Sequence, residues 1–288
     1  MELLHTRAEL RAWRQKHALA GSTVGFVPTM GALHHGHLSL VTEARKTCPM
    51  VVASVFVNRL QFNQSADFDL YPRVPDADAQ LLAEAGCSAL FAPIEKEMYP
   101  VRPQIKMNFG SLEEVLEGQL RPGHFSGVGI VVSRLFNLVL PNKAYFGQKD
   151  LQQVAVIRRL AQDLDFDLEV IACPTEREPN GLAMSSRNLR LSEEGRTKAA
   201  DLHQALQAGL PHLLSDPENA AQTGQNYLEA NGWLPRKTPA DNLTYEYIVP
   251  INANTFAPAE PGNKDNALVL AAWLEGVRLI DNVTIGNH

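Results

Sequence analysis

Only three cysteines occur in 288 residues, Cys48, Cys87 and Cys173. They are odd in number and widely spaced, so they form neither a disulfide framework nor a zinc pattern, and they suit a reducing cytoplasm. No segment approaches 18 uncharged apolar residues, which excludes a transmembrane helix. Positive charge is not in excess: 26 Lys and Arg against 32 Asp and Glu leave a net charge of −6. An acidic chain without a basic tract is a poor general nucleic-acid binder, so any anion site must be built locally. The N-terminal stretch MELLHTRAELRAWRQKH reads as a charged amphipathic helix and not as a signal peptide. Walker A and G-x-G-x-x-G spacings are both absent, which removes the P-loop and dinucleotide readings. Internal repeats and low-complexity segments are absent too.

What remains is a chain with 45% hydrophobic and 20% charged residues, the composition of a soluble globular protein with a proper core. Its length suits one large or two modest domains. Through about residue 175, strands and helices alternate. Val24–Val27, Val51–Val57, Ala89–Ala92, Ala144–Phe146 and Leu168–Ala172 read as strands. Helices are expected after His34 and over Pro75–Ala85, Phe125–Leu140 and Leu151–Leu164. This alternation predicts an α/β fold, a Rossmann-like parallel sheet with helices on both faces. Ligands in such sheets sit beyond the carboxyl ends of the strands. Thereafter the character changes. Pro174–Arg190 is a polar loop, two helices follow (Ser192 to about Leu214, Pro217 to about Asn231), and Leu243–Val249 and Ala267–Leu274 read as strands. The expected domains are therefore 1–176, binding the nucleotide, and 177–288, a smaller α+β lid.

The most informative stretch is Val24–Leu40, VGFVPTMGALHHGHLSL. A short apolar strand ends at Pro28, Gly31 supplies a turn, and a helix begins near His34. A strand–turn–helix unit aims free backbone N–H groups and a positive helix end at the turn. His34 and His37 are three apart and share a helix face, whereas His35 lies on another. Gly36 lets a ligand approach the backbone. Two imidazoles here can bind nucleotide phosphates. Read alone, the cluster could also be a surface feature or an adventitious metal site, although no Cys or carboxylate in the motif supports a metal. The spacing His-x-Gly-His after a strand resembles the signature of the nucleotidyltransferase superfamily, which includes class I aminoacyl-tRNA synthetases.

Further runs repeat this logic. In AYFGQKDLQQ, Gly147 gives a turn while Lys149 and Asp150 open a helix. Lys149 suits phosphate, and Asp150 can cap the helix or accept from a ribose hydroxyl. In GLAMSSRN, Ser185 and Ser186 offer hydroxyls and Arg187 a planar cation, or else the run is an ordinary Ser-rich cap. EGQLRPGHFSGV carries Arg121 and His124 around a Pro122–Gly123 turn. FVNRLQF places Asn58 and Gln61, two neutral amides, after a strand.

Together these runs resemble the pantothenate synthetase (pantoate–β-alanine ligase) family. The matching segments, VPTMGALHHGH, SVFVNRLQF, YPR at Tyr71–Arg73, LEGQLRPGHFSGV, AYFGQKDLQQ and GLAMSSRN, follow the family's order over Val27–Asn188. AAWLEGVRLIDN (Ala271–Asn282) also looks familiar. Two residues depart from the family: Arg59 stands where Pro is usual, and Asn180 where Asp is usual.

The resemblance implies ATP-dependent condensation of pantoate with β-alanine through a pantoyl adenylate, releasing AMP and pyrophosphate. It implies catalytic roles for His34, His37 (the family's proton donor), Lys149 and Arg187. ATP would be bound by these and by Met30, Gly31, Gly36, Gly147, Gln148, Asp150, Glu176 through its backbone, Met184, Ser185 and Ser186. Asn58, Gln61, Arg121 and Gln153 would hold pantoate or β-alanine. Mg²⁺ would accompany the triphosphate, with Asp76 and Asp78 as possible aids or simply helix-start residues. A cytoplasmic homodimer, with no nucleic acid or membrane partner, is the expected setting. Another HxGH nucleotidyltransferase would not need the Gln61 and Gln153 pair. A non-catalytic nucleotide-binding module would be marked by loss of the phosphate cations, which are present.

Overall fold

The computed structural model describes residues 1–19, 21–63, 68–238 and 242–286. The chain divides into two compact units. The first comprises Met1–Gly147 and Gln153–Cys173, the second Gln148–Gln152 and Pro174–His288.

The first unit is built on six parallel strands: β1 (Glu2–Leu4), β2 (Val24–Thr29), β3 (Met50–Val55), β4 (Ala89–Phe91), β5 (Lys143–Gly147) and β6 (Glu169–Cys173). Their order is β1-β4-β3-β2-β5-β6, every neighbouring pair parallel. The helices are α1 (Arg7–Leu19), α2 (His35–Thr47), α3 (Pro75–Glu84), α4 (Glu95–Met98), α5 (Leu116–Leu120), α6 (His124–Val139) and α7 (Leu151–Asp163), whose first two residues belong to the second unit. The expected α/β fold with helices on both faces is present.

Strand alternation explains the two faces. Val24, Phe26, Val52, Phe91, Ala144 and Phe146 join a core with Leu10 and Trp13 of α1, Val131 and Leu135 of α6, and Ile157 of α7. Val27, Val51, Ala53, Leu90 and Tyr145 face the other way, against Leu40, Val41 and Ala44 of α2 and Leu82 of α3. Both faces are covered, so the strands read as continuous apolar runs, the mark of a buried parallel sheet. Strand order reverses at β2. Strands β3 and β4 continue to one side of it, and β5 and β6 lie on the other. The loop leaving β2 therefore starts at a topological switch point, where open α/β sheets bind ligands.

The N-terminal stretch departs from the helix expected there. Glu2–Leu4 is an edge strand pairing with Ala89–Phe91, and α1 starts at Arg7. Three residues cannot outweigh the helical periodicity that follows them; the neighbouring strand decides.

In the second unit, α8 (Glu193–Ala199), α9 (Asp201–Gly209) and α10 (Pro217–Ala230) accompany the sheet β10-β9-β8-β7. Its strands are β7 (Leu234–Pro235), β8 (Thr244–Asn252), β9 (Asn266–Leu274) and β10 (Val277–Thr284), antiparallel except for β7 beside β8. The helix expected from Ser192 to about Leu214 is broken into α8, α9 and a 3₁₀ turn at Leu210–His212, where Pro211 removes a backbone donor. Strand β10 goes beyond the strands expected from sequence. Glu275 (φ 51°) and Gly276 (φ 74°) make the two-residue turn that joins it to β9.

Candidate functional site

The loop after β2 is shaped by backbone and held by one carboxylate. Gly31 adopts φ 82°, and a Cβ there would lie 2.8 Å from Asp78 Oδ2 and 3.0 Å from Val55 Cγ1. Ala32 follows in the same left-handed region at φ 51°. Asp78, 2% exposed in the first turn of α3, accepts from the Ala32 N–H at 3.0 Å and the Leu33 N–H at 2.8 Å. Sequence reasoning placed Asp78 with Asp76 as a possible metal aid. Its two carboxylate oxygens hold the loop, and Asp76 is exposed on the same turn. Among the described residues no group of three or more His, Cys, Asp or Glu could hold a metal ion.

Helix α2 starts with a capping box made of two histidines. His34 is the N-cap, and its Nδ1 accepts from Gly36 N–H at 3.1 Å. His37, three residues on, accepts from the His34 N–H through its own Nδ1 at 3.3 Å. The rings lie 4.1 Å apart at 45°. A backbone N–H can only donate, so both Nδ1 atoms are acceptors. In the neutral rings the proton then sits on Nε2. Two N–H-bearing imidazoles thus stand at a helix N-terminus whose own first turn carries no acidic residue. The expected pair is assembled; His35 is exposed.

Asn58 caps and Gln61 ends a 3₁₀ turn, Arg59–Gln61, in the loop that leaves β3. Both are buried, at 1% and 8% exposure. Asn58 Nδ2 donates to Gln61 Oε1 at 3.1 Å and to the Gly127 carbonyl at 3.0 Å. Gln61 Nε2 meets Met30 Sδ at 2.9 Å, tying this turn to the β2–α2 loop. His124 Nδ1 donates to the Gln61 carbonyl at 2.8 Å. The turn reaches α6 because Gly127 has no side chain: a Cβ there would lie 2.2 Å from Leu60 O. Arg59 does not disturb this. Its guanidinium lies over the Phe68 ring, 4.9 Å from the centroid, and 3.8 Å from Asp69. Gln153, on α7, and Arg121, at the end of α5, are half-buried.

The second unit carries the other candidate cations. Lys149 and Asp150 sit in a 3₁₀ turn, Gln148–Asp150, that precedes α7 rather than in its first turn; Lys149 is half-buried and Asp150 exposed. Asn282 of β10 donates through Nδ2 to the carbonyls of Gln148, at 2.9 Å, and Lys149, at 3.0 Å. Gln148 Nε2 returns a bond to Thr284 Oγ1 at 3.1 Å. Beside Asn282, Asp281 forms a two-pronged pair with Arg177, at 2.6 and 3.0 Å, and Arg177 also donates to the Gly181 carbonyl at 3.1 Å. Thus one strand, β10, fixes both the Lys149 turn and the start of the GLAMSSRN run. Sequence reasoning assigned Asn282, Asp281 and Arg177 no role, although Asp281 and Asn282 lie in the familiar run Ala271–Asn282.

In that run, Met184 N–H donates to the Glu176 carbonyl at 2.9 Å. Ser185 caps the 3₁₀ turn Ser186–Arg190 by accepting from Arg187 N–H at 3.2 Å. Ser185 and Ser186 are half-buried and Arg187 is exposed. Lys149, Ser185, Arg187, Asn188, Arg278 and Asp281 line one small recess. Asn180 uses both ends of its amide: Oδ1 accepts from Leu182 N–H at 3.1 Å, and Nδ2 donates to the Arg196 carbonyl at 3.2 Å. The second bond needs an N–H that an aspartate would lack.

A family model described as pantoate-beta-alanine ligase matches residues 2–284. A pantothenate synthetase of Cytophaga hutchinsonii is 48% identical over 268 residues, 91% of this chain and 92% of that protein. The crystal structure of a pantothenate synthetase from Thermus thermophilus is similar at TM-score 0.88 and 43% identity, covering 99% of each chain. That of a pantoate-beta-alanine ligase from Francisella tularensis, complexed with beta-gamma ATP and beta-alanine, is similar at TM-score 0.79 and 32% identity, covering 100% of this chain and 99% of that one.

Proposed function

The chain belongs to the pantoate–β-alanine ligase family, and on that premise we propose that it joins pantoate to β-alanine in two steps with ATP as the activating substrate. A carboxylate is a poor acyl donor until it carries a good leaving group. In the first step the pantoate carboxylate attacks the α-phosphorus of ATP, an O–P bond forms, and the bond to pyrophosphate breaks. In the second, the β-alanine amine attacks the acyl carbon of the pantoyl adenylate. A C–N bond forms, AMP leaves with the bonding pair, and the amine loses a proton.

Neither step needs a covalent nucleophile on the protein. Both need positioning and neutralisation of charge. The Nε2–H groups of His34 and His37, Lys149, the Ser185 and Ser186 hydroxyls and Arg187 serve the phosphates in this reading, with His37 as proton donor. Met30, Gly31, Gly36, Gly147, Gln148, Asp150, Met184 and the Glu176 backbone line the nucleotide. Asn58, Gln61, Arg121 and Gln153 serve pantoate or β-alanine. Residues 177–288 act as a lid over a nucleotide- and pantoate-binding domain, 1–176. Mg²⁺ bound with the triphosphate would neutralise part of its charge, with Asp76 and Asp78 as the side chains proposed to aid it. Homodimer formation and a cytoplasmic setting belong to the same proposal and rest on family likeness.

The observation that carries the reading is the two-histidine capping box at the head of α2, leaving the switch point of the sheet. The test is direct. The protein incubated with ATP, Mg²⁺, pantoate and β-alanine should yield pantothenate and AMP in equal amounts. ADP and phosphate as products, or no amide, would refute it.

A further inference from the structure

We propose that Tyr99 is a positioning residue: acting through Asn58, it fixes the Gln61 amide so that Gln61 offers an N–H donor, and so selects an acceptor oxygen on pantoate. The inference rests on the reading above, in which Gln61 holds pantoate.

Two backbone groups whose roles cannot reverse anchor this network. Leu60 N–H can only donate, and it donates to Asn58 Oδ1 at 3.3 Å. The Gly127 carbonyl can only accept, and it accepts from Asn58 Nδ2 at 3.0 Å. The orientation of the Asn58 amide is therefore set by backbone. The remaining lone pair on Oδ1 takes the Tyr99 hydroxyl at 2.9 Å, so Tyr99 donates. The remaining proton on Nδ2 goes to Gln61 at 3.1 Å, and only an oxygen can receive it. Asn58, 1% exposed, thereby uses both donors and both acceptors. Gln61 must then turn Oε1 toward Asn58 and Nε2 toward Met30, whose sulfur it meets at 2.9 Å. Thioether sulfur is a weak acceptor, which a hydroxyl or carboxylate oxygen outcompetes. Turning the Gln61 amide over would set two NH₂ groups against each other in a buried place.

Tyr99 is well suited to this task. It follows α4, with its ring edge-on to Phe56 at 5.9 Å and the Arg134 guanidinium 5.5 Å from its centroid. Burial raises its pKa, so the phenol keeps its proton throughout the working range. Forty-one positions separate Tyr99 from Asn58, which hides the connection from a linear reading.

The test is steady-state kinetics of the full-length enzyme, varying pantoate and ATP separately, for Gln61→Ala, Tyr99→Phe and Asn58→Asp. Tyr99→Phe deletes one oxygen and should raise the pantoate KM about three- to tenfold, the worth of one neutral hydrogen bond, with the ATP KM unchanged. Asn58→Asp keeps the acceptor for Tyr99 and Leu60 but puts oxygen where Nδ2 stood. The Gln61 amide must then reverse, and the pantoate KM should rise further than in Tyr99→Phe. In Tyr99→Phe a merely structural role would move both KM values and the thermal midpoint together; Asn58→Asp also sets an oxygen against the Gly127 carbonyl and lowers the midpoint in either case, so it is read on the two KM values alone. If Gln61→Ala raises the pantoate KM while Tyr99→Phe and Asn58→Asp do not, the relay is overturned and the role of Gln61 stands. If Gln61→Ala leaves the pantoate KM unchanged, the role of Gln61 falls and the relay falls with it.

Discussion

Replacing Asp78 by Ala separates a holding role from a metal role. Its carboxylate receives two backbone N–H groups, Ala32 at 3.0 Å and Leu33 at 2.8 Å, in a site only 2% exposed. Hydrogen bonds to a charged partner contribute about 1.5–3 kcal/mol each, and donors left buried without a partner add a desolvation cost. The loop also keeps Gly31 and Ala32 at positive φ, which the two bonds help to hold. Some relaxation and water entry will offset the loss, so we expect the variant to lose about 3 kcal/mol. The assay is denaturant unfolding without nucleotide or Mg²⁺, followed through the first unit, together with adenylation rates at saturating Mg²⁺. Adenylation should fall too, because the loop feeds directly into the His34 cap. Unchanged stability in the absence of metal, combined with a raised Mg²⁺ requirement, would refute the holding role and favour the metal role.

Other outcomes follow from the same geometry. Lys149→Ala should lower the single-turnover rate of adenylate formation by roughly 10²–10³-fold, the scale of removing one charge-stabilising donor, because charge gathers on pyrophosphate as it leaves. His37→Ala should behave alike and His35→Ala should be nearly silent; equal damage from both histidine variants would contradict the capping-box assignment. Asn282→Ala frees the carbonyls of Gln148 and Lys149 and should lower the same rate at least about tenfold, since misplacing a catalytic group is costly even when it is still present. A normal rate in that variant would mean the Lys149 turn holds its shape unaided. Burial pushes the Cys87 thiol up to about 11 from 9.0, so the unfolded chain loses this proton first as pH rises. Its contribution to stability is therefore complete below pH 9 and is lost between pH 9 and about 11. Cys87→Ala should show a shallower fall in unfolding free energy over that window than the native chain, and equal slopes would contradict the assignment.

Much of the first unit is legible because its signals are local. The apolar run of β2, the turn at Gly31 and the His34–His37 spacing lie within one short stretch, and the structure assembles them as a strand, a loop and a capped helix. Alternating strands and helices likewise announce the parallel sheet. The supports of the site are not local. Asp78 meets its loop from 45 and 46 residues away, and Asn282 meets the Lys149 turn from 133 and 134. Such partners have no periodicity and no motif, because an acceptor or donor can be supplied from any element that packs close by. Strand β10 shows the same limit. VRLIDNVT alternates only moderately, and its Asp281 and Asn282 find their side-chain partners far along the chain, in Arg177 and in the carbonyls of Gln148 and Lys149.

The central claim is that an acyl adenylate forms before β-alanine takes part. It is tested most directly by isotope exchange: the protein with ATP, Mg²⁺, pantoate and labelled pyrophosphate, but no β-alanine. The account predicts that label enters ATP, because adenylation is reversible and complete without the amine, and that omitting pantoate abolishes the exchange. Exchange that appears only when β-alanine is added would contradict it.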